Sequence, residues 1–250
     1  MAVAVAVADH KRDLVDRLMA AAPVKVATFD CYGTLIDWEG GAAAFLYGLA
    51  RRNGDFDPGP GSQLRERWEQ IQFEAIQDEY RTYRDVLASS LRTWVGERGY
   101  RWNTGDGDAL ESAMQAWQPF ADAIPALTRA KKAGLRLVII SNTDRHIMDQ
   151  TLCQLSPLAF DAVVVAEDVR AYKPDTTAFT RALEHAGARP EEILHVAFGF
   201  KYDITPAQEV GMQTAWINRH REQPPGDERP DYEWRDLWGL AELAEAQATQ

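Results

Sequence analysis

Residues 24–38 read VKVATFDCYGTLIDW, and this stretch decides the fold of the chain. The apolar run between Val24 and Phe29 is short and is followed by a polar turn, which is typical of a buried strand in a parallel sheet. Asp30 comes where that strand should end. Ligands of open α/β sheets bind just beyond the carboxyl ends of the strands, so Asp30 is a candidate functional residue.

The turn after Asp30 carries two further signals. Gly33 allows the backbone to turn sharply, and Thr34 supplies a hydroxyl group. By itself this pattern fits an ordinary polar turn equally well, because Asp and Gly are common turn residues. The functional interpretation therefore depends on the other segments that the chain places beside this turn.

Three later segments also carry polar residues at the ends of predicted strands. They are Leu135–Asn142 (LRLVIISN), Ala171–Pro174 (AYKP) and Ile193–Asp203 (ILHVAFGFKYD). Together with residues 24–38 they resemble the haloacid dehalogenase superfamily, whose four motifs lie at the ends of successive parallel strands. The resemblance extends over Val24–Asn218, and the D-x-Y-G-T form of the first motif is most similar to that of the 2-haloacid dehalogenases.

Strand and helix patterns alternate in the second half of the chain, which predicts an α/β fold with a doubly wound parallel sheet. No strand pattern occurs between Asp37 and Gly134, and two apolar stripes within Ser62–Trp94 are typical of helices. An excursion of about 80 residues favours an inserted lobe over extra helical layers of the main domain. The resemblance implies that this lobe is an α-helical cap. We expect a core domain of residues 1–38 and 120–250, a cap domain of residues 39–119, and a helix over Asp9–Ala22.

Composition excludes several classes of partner. The chain has 250 residues and a net charge of −11, which argues against binding to nucleic acid or to an anionic membrane. No apolar run reaches the roughly 18–20 residues of a membrane span, and the first residues lack the basic region of a signal peptide. Cys31 and Cys153 form neither a CxxC motif nor a metal-binding spacing. We therefore expect a cytoplasmic protein.

Asp30 has the chemistry of a nucleophile, since a carboxylate can attack an electrophilic carbon and form an ester. The residue two positions later indicates which reaction follows. Phosphate-transferring relatives typically carry a second acid there, which protonates the leaving alcohol, and here that position holds Tyr32. A halide leaves without a proton. Tyr32 therefore favours cleavage of a carbon–halogen bond over hydrolysis of a phosphate ester.

The last motif favours the same reaction. Metal-using relatives pair two carboxylates there, and five positions before Asp203 the chain has Phe198. A phenyl ring offers no oxygen ligand to Mg²⁺, so we expect neither a metal nor another cofactor. The resemblance implies that Asp203 activates the water that cleaves the aspartyl ester. Anchoring Lys173 in an ion pair is an alternative role, and both roles are compatible.

The resemblance also assigns the residues around the nucleophile. Lys173 is expected to hold Asp30 ionised and oriented, with an exposed lysine as the alternative. Thr34, Ser141 and Asn142 are expected to complete the catalytic site, and Asn142 to hold the departing halide. Candidate substrate-binding residues are Cys31, Tyr32, Trp38, Trp68, Glu69, Phe179, Phe198 and Phe200.

Three of these positions depart from the haloacid dehalogenase pattern. Glu69 stands where those enzymes usually carry an arginine that binds the substrate carboxylate, Phe200 where asparagine is frequent, and Phe179 where tyrosine is frequent. Alternative partners for a substrate carboxylate are Arg65, Arg67, Arg81 and Arg84. The replacements predict a pocket that is more aromatic, and a substrate that can differ from a simple 2-haloacid.

Together these features predict a hydrolase that cleaves the carbon–halogen bond of a short 2-haloacid. A covalent ester on Asp30 would give the 2-hydroxyacid and halide. Three alternatives stay open: cleavage of a strained carbon–nitrogen ring, hydrolysis of a phosphate ester, and a catalytically weak binding protein on the same fold. A small-molecule substrate and a homodimer are expected from the resemblance.

Overall fold

Six parallel strands form the centre of the structure, a computed structural model that describes residues 22–249. The strands are β1 (Val26–Phe29), β2 (Arg136–Ser141), β3 (Ala162–Val165), β4 (Ile193–Ala197), β5 (Gln213–Ile217) and β6 (Tyr232–Trp234). Their order across the sheet is β3-β2-β1-β4-β5-β6, and every neighbouring pair is parallel. The predicted fold class, a doubly wound parallel sheet, is confirmed.

The first strand lies in the interior of the sheet and is buried on both faces. Ala27 and Phe29 belong to the larger hydrophobic core, whereas Val26 belongs to a smaller core on the opposite face. From β1 the chain passes to β2 and β3 on one side and then returns to β4 on the other. This reversal makes the carboxyl end of β1 a topological switch point, where open α/β sheets bind ligands.

Four helices lie between β1 and the next core helix. They are α1 (Trp38–Arg52), α2 (Gly61–Ala75), α3 (Tyr83–Glu97) and α4 (Asp106–Gln115). The predicted apolar stripe of α2 is buried and includes Leu64, Trp68 and Ile71. The predicted helical stretch Ser62–Trp94 is divided in two, because residues 76–82 leave the helix before α3 begins. The helical character expected for this part of the chain is otherwise observed.

A carboxylate of the core fixes the start of α3. Asp144 follows β2, and its two oxygens accept hydrogen bonds from the backbone N–H groups of Tyr83 at 2.8 Å and Arg84 at 2.9 Å. The Tyr172 hydroxyl donates to the carbonyl oxygen of Arg81 at 2.8 Å. The first N–H groups of a helix have no partner within the helix. These contacts therefore tie the N-terminus of α3 to the strand ends.

The remaining helices pack on both faces of the sheet. They are α5 (Ala123–Lys132), α6 (Arg145–Gln154), α7 (Ala166–Val169), α8 (Thr177–Ala186), α9 (Thr205–Glu209) and α10 (Trp238–Ala248). A π-helical turn, Phe200–Ile204, follows β4.

The sequence did not predict β6, because three residues of mixed polarity make no strand pattern. The helix predicted over Asp9–Ala22 lies outside the described residues except for its last residue. No helix within residues 22–249 is long and apolar enough to cross a membrane.

Candidate active site

Asp30 is the first residue after β1, and it lines a cavity at the carboxyl end of the sheet. The residue is only 6% exposed. Thr34 Oγ1 donates a hydrogen bond to one carboxylate oxygen at 2.8 Å, and Lys173 Nζ donates to the other at 2.9 Å. Each oxygen is thus oriented by one donor. A carboxylate held in this way is suited to attack a molecule in the cavity.

The turn after Asp30 requires glycine at position 33. Gly33 has a φ of +100°, in a region that residues with side chains rarely adopt. A Cβ atom there would also lie 2.3 Å from the ring of Phe198. The backbone N–H of Phe198 donates to Thr34 Oγ1 at 3.0 Å. The first and last motifs are therefore joined by a close contact, and the same threonine that orients Asp30 receives the Phe198 N–H.

Lys173 uses all three of its donors inside the protein. Its Nζ lies 2.9 Å from Asp30 Oδ1, 2.5 Å from Asp203 Oδ1 and 3.2 Å from the carbonyl oxygen of Ile140. The lysine is 2% exposed, which excludes the alternative of an exposed lysine. Burial lowers the pKa of Lys173, but Asp203 and Asp30 raise it by more, so the ammonium remains charged.

Asp203 is held by a second buried partner. His195 Nε2 lies 3.2 Å from Asp203 Oδ1, and Thr28 Oγ1 lies 2.9 Å from His195 Nδ1. Thr28 and His195 are neighbours on β1 and β4, where they lie opposite each other in the sheet register. His195, a fully buried residue of β4, thus positions the last-motif acid.

The two carboxylates have different acidities. Burial raises the pKa of Asp30, and Lys173 opposes this effect only in part. Burial also acts to raise the pKa of Asp203, but Lys173 and His195 outweigh it, and the net shift is downward. Asp203 therefore stays ionised to lower pH than Asp30.

Ser141 and Asn142 end β2 beside these charges and line the cavity. Ser141 is 2% exposed, and its Oγ has no hydrogen-bond partner among the described residues, so it is a free polar group at the cavity. Asn142 Nδ2 donates to the carbonyl oxygen of Lys173 at 3.0 Å, and Asn142 Oδ1 accepts from the backbone N–H of Lys173 at 2.7 Å. The amide of Asn142 therefore fixes Lys173 with one of its two N–H groups, and its expected role of holding the halide stays a prediction.

The cavity has a volume of about 100 Å³, enough for several water molecules or one small organic molecule. It lies between the strand ends and helices α2 and α3. The residues that line it are Asp30, Tyr32, Trp38, Glu69, Gln72, Phe73, Ile76, Tyr83, Ser141, Asn142, Lys173, Phe198, Tyr202 and Asp203. Of the predicted site residues, all but Thr34, Cys31, Trp68, Phe179 and Phe200 belong to this set, and Thr34 binds Asp30 directly.

Helix α2 contributes one wall of the cavity, and of that wall the sequence analysis named only Glu69. Glu69, Gln72, Phe73 and Ile76 line the cavity, and they follow the i, i+3, i+4, i+7 spacing of one helix face. Once Glu69 is placed in the site, this spacing is the signal that finds the other three. Tyr83 and Tyr202 carried no such signal, because their positions depend on how α3 and the turn after β4 pack.

Four predicted substrate-binding residues do not line the cavity, and that expectation is corrected. Phe179 packs in the smaller core, with its ring 5.1 Å from the His195 ring. Phe200 points into a separate cluster, where its ring lies edge-on to Trp216 at 5.3 Å. Cys31 is fully buried in the larger core. Trp68 supports the cavity from behind, since it stacks on Trp38 at 6.3 Å.

Tyr32 lines the cavity, but its hydroxyl is engaged elsewhere. The hydroxyl oxygen lies 2.7 Å from Thr151 Oγ1. Burial raises the pKa of Tyr32 well above its ordinary value, so the phenol is a poor proton donor to a leaving group. The position that holds an acid in phosphate-transferring relatives is thus occupied by a weak acid with a fixed partner.

None of the four alternative arginines lines the cavity. Arg65 pairs with Glu69 at 2.6 Å, and Arg67 and Arg84 form exposed pairs outside the cavity. Among residues 22–249 there is also no group of three or more His, Cys, Asp or Glu residues placed to hold a metal ion.

The parallel sheet, the buried carboxylate after its first strand and the lysine between two acids point to a haloacid dehalogenase-like hydrolase. A sequence model of that family matches residues 24–211, and the chain belongs to it. Two curated relatives indicate which branch it resembles. The (S)-2-haloacid dehalogenase of Pseudomonas putida is 29% identical over 197 residues, which are 76% of this chain and 83% of the relative. Haloacetate dehalogenase H-2 of a Moraxella species is 25% identical over 79% of this chain and 87% of the relative.

Solved structures agree with this placement. The crystal structure of an L-2-haloacid dehalogenase superposes with a TM-score of 0.79 at 25% identity, covering 90% of this chain and all of the other. The L-2-haloacid dehalogenase of Xanthobacter autotrophicus superposes with a TM-score of 0.74 at 23% identity, covering 88% and 98% of the two chains. The second likeness concerns the fold alone.

Proposed function

We propose that this chain hydrolyses the carbon–halogen bond at C2 of a short 2-haloacid through a covalent ester on Asp30. The observation that supports this most directly is the buried Asp30 carboxylate at the cavity, with one oxygen held by Thr34 and the other by Lys173. The dehalogenase relatives support the carbon–halogen bond as the target.

In the first step, an Asp30 oxygen forms a bond to C2 while the carbon–halogen bond breaks. The halide leaves with the bonding electron pair, so no proton is needed and the carbon is inverted. The Ser141 hydroxyl, which has no partner among the described residues, is available to donate to the departing halide or to the substrate. The apolar surfaces of Phe198 and Trp38 help to keep water from the reacting carbon.

In the second step, water attacks the carbonyl carbon of the Asp30 ester and the hydroxyacid leaves. Asp203 accepts a proton of that water. The tetrahedral intermediate then collapses with cleavage of its bond to the hydroxyacid oxygen, which takes the proton back from Asp203, and Asp30 loses its own proton to solvent. The Oδ1 atom of Asp203 is bound by Lys173 and His195, but its Oδ2 has no hydrogen-bond partner among the described residues. A Cβ atom at Gly199 would lie 2.7 Å from Oδ2, so glycine keeps this oxygen uncovered. Lys173 would stabilise the negative charge of the tetrahedral intermediate.

The cap prediction fits this chemistry. We propose that residues 39–119 form a cap that closes the cavity over the core formed by residues 1–38 and 120–250. Phe73 of α2 lies edge-on to Tyr202 at 5.3 Å, and Lys201 Nζ lies 3.5 Å above the Phe73 ring. Such closure would expel water and shield the ester until it is hydrolysed.

Three further expectations stay predictions: a cytoplasmic location, a homodimer, and activity without a cofactor. Hydrolysis of a phosphate ester is disfavoured because Tyr32 is a poor acid at the required position. Cleavage of a strained carbon–nitrogen ring is the second candidate, because the Glu69 carboxylate in the cavity could pair with a ring nitrogen.

The test is halide release from the two enantiomers of 2-chloropropionate, with mass spectrometry of the protein during turnover. In ¹⁸O-labelled water, a single turnover should place the label in Asp30 and not in the hydroxyacid, because water attacks the ester. Asp30→Asn should retain the fold and lose turnover, since an amide is a far poorer nucleophile. Label found directly in the product would refute the covalent route, and absence of turnover on every substrate would favour a binding protein.

A further inference from the structure

The charged groups of the cavity do not suit an anionic substrate. Its lining contains three carboxylates, those of Asp30, Glu69 and Asp203, and one cation, Lys173. The three donors of Lys173 are already bound to Asp30, Asp203 and the carbonyl oxygen of Ile140. A carboxylate that entered would therefore find no free cation on the wall and would face an excess of negative charge.

An adjoining cavity of about 280 Å³ does not supply the missing cation. It shares Glu69 and Phe198 with the first, and its lining contains four glutamates against two arginines. Arg65 is paired with Glu69 at 2.6 Å and with Glu39 at 3.1 Å. Arg219 donates two hydrogen bonds to Asp122 and one to the carbonyl oxygen of Thr34. The charges of both arginines are thus paired with carboxylates of the protein, although the buried Nε of Arg219 has no hydrogen-bond partner among the described residues.

The face of α2 instead offers one acceptor and one donor. Glu69 Oε2 is bound by Arg65, whereas Oε1 has no hydrogen-bond partner among the described residues. Gln72 follows three positions later on the same helix face, and its Oε1 accepts from the Tyr83 hydroxyl at 2.9 Å. The Gln72 amide N–H₂ has no partner within residues 22–249. Both residues line the cavity.

A carboxamide complements this pair, because it carries N–H donors and a carbonyl acceptor side by side. We propose that the group beside C2 of the substrate is an uncharged carboxamide, with its N–H bound to Glu69 and its C=O bound to Gln72. This inference rests on the proposed function for the bond that breaks and for the ester on Asp30, and it replaces the 2-haloacid of that proposal by the corresponding 2-haloamide. Asp30 would displace the halide from a 2-haloamide, and hydrolysis of the ester would yield the 2-hydroxyamide with its amide bond intact.

The chemistry and the recognition can be tested apart. Chloride release from 2-chloropropionamide and 2-chloropropionate measures both, whereas binding of propionamide and propionate, which carry no halogen, measures recognition alone. For each pair we expect a preference for the amide of at least about tenfold, the size of one hydrogen bond to a charged group. Saturation-transfer NMR suits the weak binding expected of such small molecules.

Glu69→Gln should reduce that preference to within about threefold, since it removes the charge that repels the acid. Glu74→Gln is the matched control, because Glu74 is an exposed glutamate of α2 that lines neither cavity. Thermal unfolding of each variant reports whether the lost pair with Arg65 disturbs the fold.

Equal or stronger binding of propionate by the native protein, unchanged in Glu69→Gln, would overturn the carboxamide proposal. Chloride release from 2-chloropropionate would in that case leave the proposed function intact. Preferred binding of propionamide without chloride release from either substrate would support the recognition and refute the proposed function.

Discussion

Replacement of Lys173 by methionine tests the electrostatic core of the site. Methionine has a similar length and no charge, so Lys173→Met leaves Asp30 and Asp203 buried without their shared cation. Removal of one partner from a buried ion pair destabilises a protein by about 3–5 kcal/mol. We expect a loss of this size near pH 8, together with loss of turnover.

The pH dependence of that loss follows from the pKa shifts. Lys173 lowers the pKa of both carboxyl groups, and burial raises it. Without the lysine, both folded-state pKa values rise above the value of about 3.9 for an unfolded aspartate. These two groups then bind more protons in the folded variant than in the unfolded chain. Their contribution to stability is therefore greatest below that value and falls as pH rises, by up to about 1.4 kcal/mol per pH unit for each carboxyl group.

Urea unfolding at pH 5 and pH 8 measures this difference. The stability deficit of Lys173→Met against the native protein should be larger at pH 8. Lys131→Met is the control, because Lys131 forms an exposed pair with Asp161 at 3.4 Å and its loss should cost less than about 1 kcal/mol. A deficit of Lys173→Met below about 1 kcal/mol and equal at both pH values would refute the reasoning.

Three other predictions follow from the packing and the donor set. Gly33→Ala should destabilise the protein by about 1–3 kcal/mol and reduce turnover, because the new Cβ would strain a φ of +100° and meet the Phe198 ring, and urea unfolding with halide assays checks both. Phe200→Asn should cost about 3 kcal/mol without changing substrate preference, because it buries an amide against Trp216, whereas Phe56→Asn at an exposed position should cost little. EDTA should leave halide release unchanged, and activity restored only by Mg²⁺ would contradict the metal-free proposal.

The strands other than β6 and the position of Asp30 were predictable from sequence because they follow local rules. A buried parallel strand reads as an apolar run, and its carboxyl end is where the first polar residue appears, which placed Asp30 and Ser141 correctly beside the cavity. The lysine and the acid of the later motifs were placed by resemblance, and the structure joins Lys173 to both acids. The roles of these residues in catalysis stay predictions.

The inner wall of the cavity was decided by packing between distant segments. The segment after β4 brings Phe198 to the cavity, and its π-helical turn brings Tyr202 there and directs Phe200 into a cluster with Trp216. The smaller core holds Phe179 on the opposite face of the sheet from the larger core. Sequence spacing does not specify the direction in which a side chain leaves an irregular turn. The sequence therefore did not indicate which of these aromatic residues line the cavity.

The sequence by itself determined the parallel sheet, the position of the nucleophile after β1 and the helical character of the residues between β1 and α5, because periodicity and turn chemistry act over a few residues. Only the tertiary structure decided that His195 holds Asp203, that Asn142 holds Lys173, and that Gln72 faces the cavity beside Glu69. These contacts join segments far apart in the chain. Their geometry is set by how the helices pack on the sheet, and no local pattern encodes that packing.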